Sequence, residues 1–283
     1  MEENWSLRDD RPYLRPAERS FAWPAALVIA LIIGLAGAYY YYLREHQPRP
    51  APETSASAET TPAPQPQPAI RHPLETPQPQ AAPSLPTLEN SDAMVRESLV
   101  ELMGDKPFAE LVVPSLLVRR MVATIDNLPR QTAPRRMIPL NQVPGAFAAS
   151  GDADDATIAP ANFERYAPYV RVMELIDSRA LVYGYVRAYP LFQRAYEELG
   201  YPGKYFNDRL MQAIDDMLAA PEIGTPIAVM KPRILYEFAD PDLETRSAGQ
   251  KIMIRMGKEN ALRVKSKLWE IRRELLAASA RQR

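Results

Sequence analysis

The side chains that most often carry out enzymatic chemistry are scarce in the C-terminal part of this chain. Its 283 residues include no cysteine and two histidines, His46 and His72, which both precede residue 88. From residue 88 onward the sequence therefore excludes cysteine nucleophiles, triads that use histidine, and metal or haem sites built on either residue. It also lacks the glycine-rich motifs that bind nucleotide phosphates. No catalytic residue, cofactor or metal site is predicted.

Carboxylates are the remaining candidates for catalysis. Two facing acids can cleave a glycosidic bond, one as the acid and the other as base or nucleophile. Asp208 and Asp215 lie two turns apart on one predicted helix face. The competing interpretation is a solvated surface, on which acids pair with arginines such as Arg194 and Arg209. The acids considered are Glu197, Glu198, Asp208, Asp215 and Asp216.

A basic C-terminal segment suggests a different kind of site. Residues 245–283 contain eleven Lys or Arg against three Glu. Such a segment can contact anionic lipid headgroups or a cell-wall polymer, although its charges are spread around the predicted helix, as on an ordinary solvated face. The candidate contacts are Lys258, Arg263, Lys265, Lys267, Arg272 and Arg273.

The first 43 residues indicate a membrane anchor. Residues 21–43 carry no charge, and roughly 20 apolar residues suffice to cross a bilayer as a helix. Trp23 and the four tyrosines of residues 39–42 mark the two ends, as aromatic belts do. Four arginines precede this run and two follow shortly after it, which places residues 1–20 in the cytoplasm and the rest outside. The alternative is a signal peptide cleaved after Ala38.

Residues 44–87 predict a disordered linker. Pro, Ala, Gln and Thr dominate this segment, which has too few large apolar residues to offset the entropy lost on ordering. Its prolines favour an extended spacer that rises about 3.1 Å per residue. We therefore expect the linker to hold residues 88–283 away from the membrane.

Residues 88–283 predict an all-α, multi-helix domain. The clearest apolar stripe follows Ser178, a candidate N-cap, and a kink or break is expected at Pro190 within it. Residues 241–256 and 258–278 predict the last two helices, and residues 225–230 are the only candidate strand. Heptad spacing of Tyr185, Tyr189 and Tyr196 favours a core stripe over a ligand-stacking surface.

Several sequence strings are similar to those of a bacterial domain-of-unknown-function family, DUF3014. They are TIDNLPR at residues 124–130, APANFERYAPYV at 159–170, YPLFQRAYEELGYP at 189–202, YFNDRL at 205–210, SAGQKIMIRMG at 247–257 and ENALRVKSKL at 259–268. The chain also resembles the family in having an N-terminal membrane segment and a Pro-rich linker. The resemblance implies membership and assigns no activity or site residue.

Together these features predict a single-pass protein of the bacterial inner membrane with a periplasmic domain. A non-enzymatic module that recruits or scaffolds an envelope protein is the first hypothesis, and an enzyme acting on cell-wall glycan is the alternative. The net charge of −1 predicts no attraction to nucleic acid. The candidate interaction surface consists of Tyr201, Tyr205, Asn207, Asp208 and Arg209.

Overall fold

The computed structural model describes residues 70–74, 85–152, 155–224 and 226–281. The predicted cytoplasmic tail and membrane helix, together with most of the predicted linker, lie outside these ranges. Within them, no helix combines the length and hydropathy that a membrane crossing requires.

The described residues form a mostly helical domain with nine α-helices. These are α1 (Asp92–Met103), α2 (Asp105–Leu111), α3 (Leu117–Asn127), α4 (Ala161–Leu175), α5 (Ser178–Glu198), α6 (Phe206–Leu218), α7 (Pro241–Glu244), α8 (Ala248–Arg255) and α9 (Lys258–Ala280). Short 3₁₀ turns occupy Leu88–Asn90 and Arg135–Met137. The predicted multi-helix domain is thus confirmed at this level.

Two small antiparallel hairpins interrupt the helical pattern. Strand β1 (Ala149–Ser150) pairs with β2 (Thr157–Ile158), and β3 (Val229–Met230) pairs with β4 (Glu237–Phe238). A bridge between Thr157 and Ala228 joins the hairpins. They enclose a second, smaller apolar cluster that includes Ile158 and Phe238. Strand β3 falls within the predicted strand segment, residues 225–230.

Helix α5 differs from its prediction at its start, and it is not broken at Pro190, where a kink or a break was expected. Its N-cap is Asp177, whose carboxylate accepts a 2.7 Å hydrogen bond from the Ala180 N–H, so Ser178 is the first helical residue. The helix continues through Pro190 without a break. The lost backbone hydrogen bond is tolerated because Tyr189, Leu191 and Phe192 around it are all buried.

The main core lies where α3, α5, α6 and α9 pack against one another. Its centre is aromatic, with the rings of Phe192 and Phe206 stacked 5.8 Å apart and Tyr185 edge-on to Phe192 at 5.3 Å. Such ring pairs stabilise beyond the area that they bury. The tyrosine stripe of α5 is therefore a core stripe, as predicted.

Candidate functional site

A buried carboxylate, that of Asp126, anchors the region where three of the DUF3014-like strings meet. Asp126 lies in the last turn of α3 and is 4% exposed. Its carboxylate accepts hydrogen bonds from Arg130 at 2.8 Å, Arg209 at 3.0 Å and the Tyr201 hydroxyl at 3.2 Å. A buried charge is tolerated only when it is paired and hydrogen-bonded. These four residues, the Asp126 network, fix the start of α6 against α3.

Helix α8 docks beside this network. The Gly249 N–H donates to the Leu128 carbonyl at 2.9 Å, and the Ser247 hydroxyl donates to the Asp216 carboxylate at 2.6 Å. A Cβ on Gly249 would lie 2.9 Å from Met217 Cγ. Glycine is therefore required for the close approach of α8 to α6.

The first turn of α6 binds an extended segment of the chain itself. Asp208 accepts two hydrogen bonds from consecutive backbone amides, Arg71 N–H at 3.1 Å and His72 N–H at 2.8 Å. The Asn207 side-chain amide donates to the His72 carbonyl at 2.9 Å. These contacts span more than 130 positions in sequence. We call Asn207 and Asp208 the backbone clamp, because they contact only main-chain groups of residues 70–74 in these bonds.

The clamp is rigidly supported from within the core. Asn207 is completely buried, and its side-chain oxygen accepts a 3.2 Å hydrogen bond from the Tyr185 hydroxyl. This bond fixes the amide so that its N–H₂ group points at the His72 carbonyl. Leu74, two residues further on, is 6% exposed and belongs to the main core.

Residues 70–74 are well suited to this binding mode. Pro73 favours an extended backbone at His72, the residue before it. The only Ile or Leu residues in the predicted linker are Ile70, Leu74 and Leu85. The presence of Ile70 and Leu74 so close together was the sequence signal that could have located the docked segment, which sequence analysis assigned to the disordered linker.

The predicted interaction surface is divided between exposed and buried residues. Tyr205 is 36% exposed and Asp208 is partly exposed in the clamp. Asn207 is completely buried, and Arg209, whose side chain is 15% exposed, is paired with Asp126. Tyr201 is half-buried and stacks on Tyr196 at 4.6 Å. Sequence analysis missed Asp126, although an acid and an arginine spaced four residues apart, as Asp126 and Arg130 are within TIDNLPR, can form an ion pair on a helix.

The acids considered for glycan cleavage all have structural partners. Glu198 binds Arg119 at 2.9 Å and Arg194 at 3.0 Å, and hydrogen bonds from Arg119 and Arg194 hold its pKa below the usual value. Glu197 accepts from Gln193 at 2.9 Å, and Asp215 binds Arg272 at 2.7 Å. Asp216 binds α8 and Asp208 belongs to the clamp. A glycosidase acid needs a raised pKa, whereas the pKa of Glu198 is lowered.

Most of the basic candidates in the C-terminal segment tie helices together. Arg263 pairs with Glu174 of α4, and Arg272 pairs with Asp215 of α6. Lys265 donates to the Ala220 carbonyl at 2.7 Å, and Lys267, which is 9% exposed, donates to the Ile176 carbonyl at 3.1 Å. Lys258 and Arg273 are exposed. Across the described ranges, no three acidic or histidine side chains converge as metal ligands would.

Comparison with known proteins places these residues in a family. A family model described as "Protein of unknown function (DUF3014)" matches residues 117–272, more than half of the chain. The chain belongs to this family. The DUF3014 region contains the Asp126 network and both residues of the backbone clamp, whereas residues 70–74 precede it. Searches of curated proteins and of solved structures found no match.

Proposed function

We propose that this DUF3014 domain is a non-enzymatic interaction module that binds an extended peptide segment at the backbone clamp. The observation that carries the proposal is that one carboxylate accepts hydrogen bonds from two consecutive N–H groups, those of Arg71 and His72, while a buried amide binds the His72 carbonyl that follows them. Hydrogen bonds to main-chain groups supply affinity for an extended peptide, and side-chain pockets supply specificity. The buried site of Leu74 is such a pocket.

The proposed ligand is a segment with an aliphatic residue two positions after the clamped residue. In the chain itself residues 70–74 occupy the clamp, so an external peptide must displace them. A tethered segment competes at an effective concentration in the millimolar range. Binding to a partner is therefore weak until the internal segment is released.

The proposed cellular setting follows from the N-terminal sequence. An anchor at residues 21–43 in the bacterial inner membrane would hold the domain on the periplasmic side, on a Pro-rich spacer. In that setting the partner is an envelope protein with an exposed extended segment. Docking of residues 70–74 would shorten the free part of the spacer, and release would lengthen it.

A peptide-binding titration with the full-length protein tests this function. The probe is a fluorescent peptide of sequence AIRHPLET, matching residues 69–76. The Leu74→Asp substitution removes the apolar anchor of the internal segment and exposes the clamp. We expect this variant to bind the peptide at least about ten-fold more tightly than the wild type, as measured by fluorescence polarisation.

Two matched double variants each combine Leu74→Asp with a second substitution in helix α6. Adding Asp208→Ala to Leu74→Asp removes the acceptor of two N–H groups, and peptide binding should fall about ten-fold or more. Adding Asp215→Ala instead, on the same helix but bound to Arg272, should leave binding unchanged. Equal binding by both double variants, or no binding by Leu74→Asp, would contradict the proposed function.

A further inference from the structure

The loop that joins strands β3 and β4 carries an exposed aliphatic apex. All of residues 231–235, which we call the hairpin tip, are exposed. Within the tip Ile234 is 85% exposed and Leu235 is 58% exposed, and Met230 beside the tip is 46% exposed. Single aliphatic residues scattered over a surface are ordinary, whereas neighbouring ones that form a patch indicate an interaction site.

The hairpin that carries the tip is fixed on the domain. Its cross-strand pair Val229 and Phe238 is buried in the smaller apolar cluster. Arg255 of α8 donates to the Tyr236 carbonyl at 3.2 Å, and Glu244 of α7 accepts from the Phe238 N–H at 3.0 Å. These two main-chain groups are therefore occupied, and a strand from a partner protein cannot pair with them. The side chains of the tip remain for an interaction.

The charges of the hairpin tip are positive. Lys231 and Arg233 are both exposed, and residues 223–236 contain no acid. Within the described ranges neither residue forms an ion pair. The next acid along the chain, Glu237, pairs with Met230 across the hairpin, which places it at the base of the loop. The apex thus presents two cations beside two aliphatic side chains.

An anionic lipid bilayer is complementary to both features of the tip. Aliphatic side chains can enter the boundary between headgroups and acyl chains, while lysine and arginine keep their charges at the headgroups. Anionic headgroups attract basic residues at the membrane surface. A protein partner would need a groove that fits around a convex loop and acids placed beside it, whereas a fluid bilayer adapts to the loop.

We propose that the hairpin tip inserts Ile234 and Leu235 into the interface of an anionic bilayer, with Lys231 and Arg233 bound to the headgroups. The contact is weak by itself, because two aliphatic side chains and two charges bury little area. It suffices for a domain that is already tethered, as the proposed anchor at residues 21–43 would tether it. Lipid binding by the tip does not depend on whether the backbone clamp binds peptides.

Quenching of a fluorophore at the tip tests this proposal in the full-length protein. The chain has no cysteine, so Pro232→Cys, at an exposed position of the tip, can carry a single NBD label. The protein is reconstituted in vesicles of phosphatidylglycerol and phosphatidylcholine whose acyl chains bear a nitroxide quencher. We expect the label to be quenched. Adding Ile234→Asp and Leu235→Asp should lower the quenching constant about ten-fold.

Two controls separate insertion of the tip from mere closeness to the vesicle. The same label at Arg187→Cys, an exposed position of α5, should be quenched far less than the label at the tip. Adding Lys231→Gln and Arg233→Gln to the tip-labelled protein should reduce quenching in the anionic vesicles to the level found in phosphatidylcholine alone. Unchanged circular dichroism shows that the variants are folded.

Three results would overturn the proposal. One is a tip label that stays unquenched in the anionic vesicles, and another is quenching that the two aspartates leave unchanged. The third is equal quenching of the labels at the tip and on α5. A tip label that is unquenched in vesicles but shielded from aqueous iodide in intact cells would assign the tip to a protein partner instead.

Discussion

Asp126 is the residue on which the geometry of the α3–α6 contact depends. Its carboxylate is almost completely buried and receives hydrogen bonds from two arginines and a tyrosine. Arg209, the less exposed of the two arginines, also donates to the Asp126 backbone carbonyl. Since Arg209 follows the clamp residue Asp208 directly, the Asp126 network determines where the clamp lies on the core.

Replacing this carboxylate should cost much of the domain's stability. In Asp126→Asn the two arginines keep their charges and lose their counter-ion, which typically costs about 3 kcal/mol for a buried pair. Urea unfolding measures the change in the free energy of unfolding. Glu110→Gln, at an exposed pair with Lys106, is the control and should change it by less than about 0.5 kcal/mol. Similar losses in the two variants would contradict the role assigned to Asp126.

At the scale of elements, α8 is held against α6 by a close contact at Gly249. Replacing a glycine by alanine should therefore destabilise the domain at Gly249 in α8 but stabilise it at Gly184 in α5. Gly249→Ala places a Cβ 2.9 Å from Met217 Cγ and 3.3 Å from the Leu128 carbonyl oxygen. We expect a destabilisation of about 1–3 kcal/mol from this overpacking.

The matched control is Gly184→Ala in α5, where the new Cβ meets no atom within 4 Å. Alanine should stabilise this helix by about 0.5–1 kcal/mol, because glycine is the poorer helix former. Thermal unfolding of both variants measures the two effects. A stabilising Gly249→Ala would show that α8 does not approach α6 as closely as described.

Ion pairs between helices should make the domain sensitive to acid. Hydrogen bonds from Arg263 and Arg119 hold the pKa values of Glu174 and Glu198 below the ordinary value of 4.5. A lowered folded-state pKa contributes stability above the unfolded-state pKa, and this contribution is lost as the pH falls through the folded-state value. The free energy of unfolding should therefore be level from neutral pH to about pH 5 and decline below about pH 4.5.

Urea unfolding across this pH range measures the free energy of unfolding. In the double variant Glu174→Gln/Glu198→Gln it should decline less steeply than in the wild type. An equal decline in both proteins would assign the acid sensitivity to other groups.

The elements that the sequence predicted well are those determined by local signals. Helix α9, which was predicted at residues 258–278, spans Lys258–Ala280 and begins directly after Gly257. The predicted helix at residues 241–256 is instead split into α7 and α8, because Ser247 acts as a new N-cap whose hydroxyl accepts from the Gln250 N–H. Sequence analysis noted neither this cap nor the close contact at Gly249.

At the scale of the whole molecule, the features that sequence analysis missed depend on distant residues. The clamp binds residues 70–74 from about 136 positions away, and no local periodicity reports such a contact. Asn207 was assigned to the candidate interaction surface, yet it is completely buried and its side-chain amide is hydrogen-bonded to Tyr185 and His72. Family membership was predictable because the similar strings are local in sequence. The packing of these strings around Asp126 could not be predicted from the sequence, because it brings together residues that are far apart along the chain.

The proposed function depends on the binding of an extended backbone by the Asn207–Asp208 clamp. Amide hydrogen exchange at Arg71 and His72 in the full-length protein, resolved by mass spectrometry, tests it most directly. We predict exchange at least about ten-fold slower than in an unstructured peptide, and a return towards the unstructured rate in Asp208→Ala but not in Asp215→Ala. Exchange at the unstructured rate in the wild type, or slow exchange unchanged by Asp208→Ala, would contradict the proposed function.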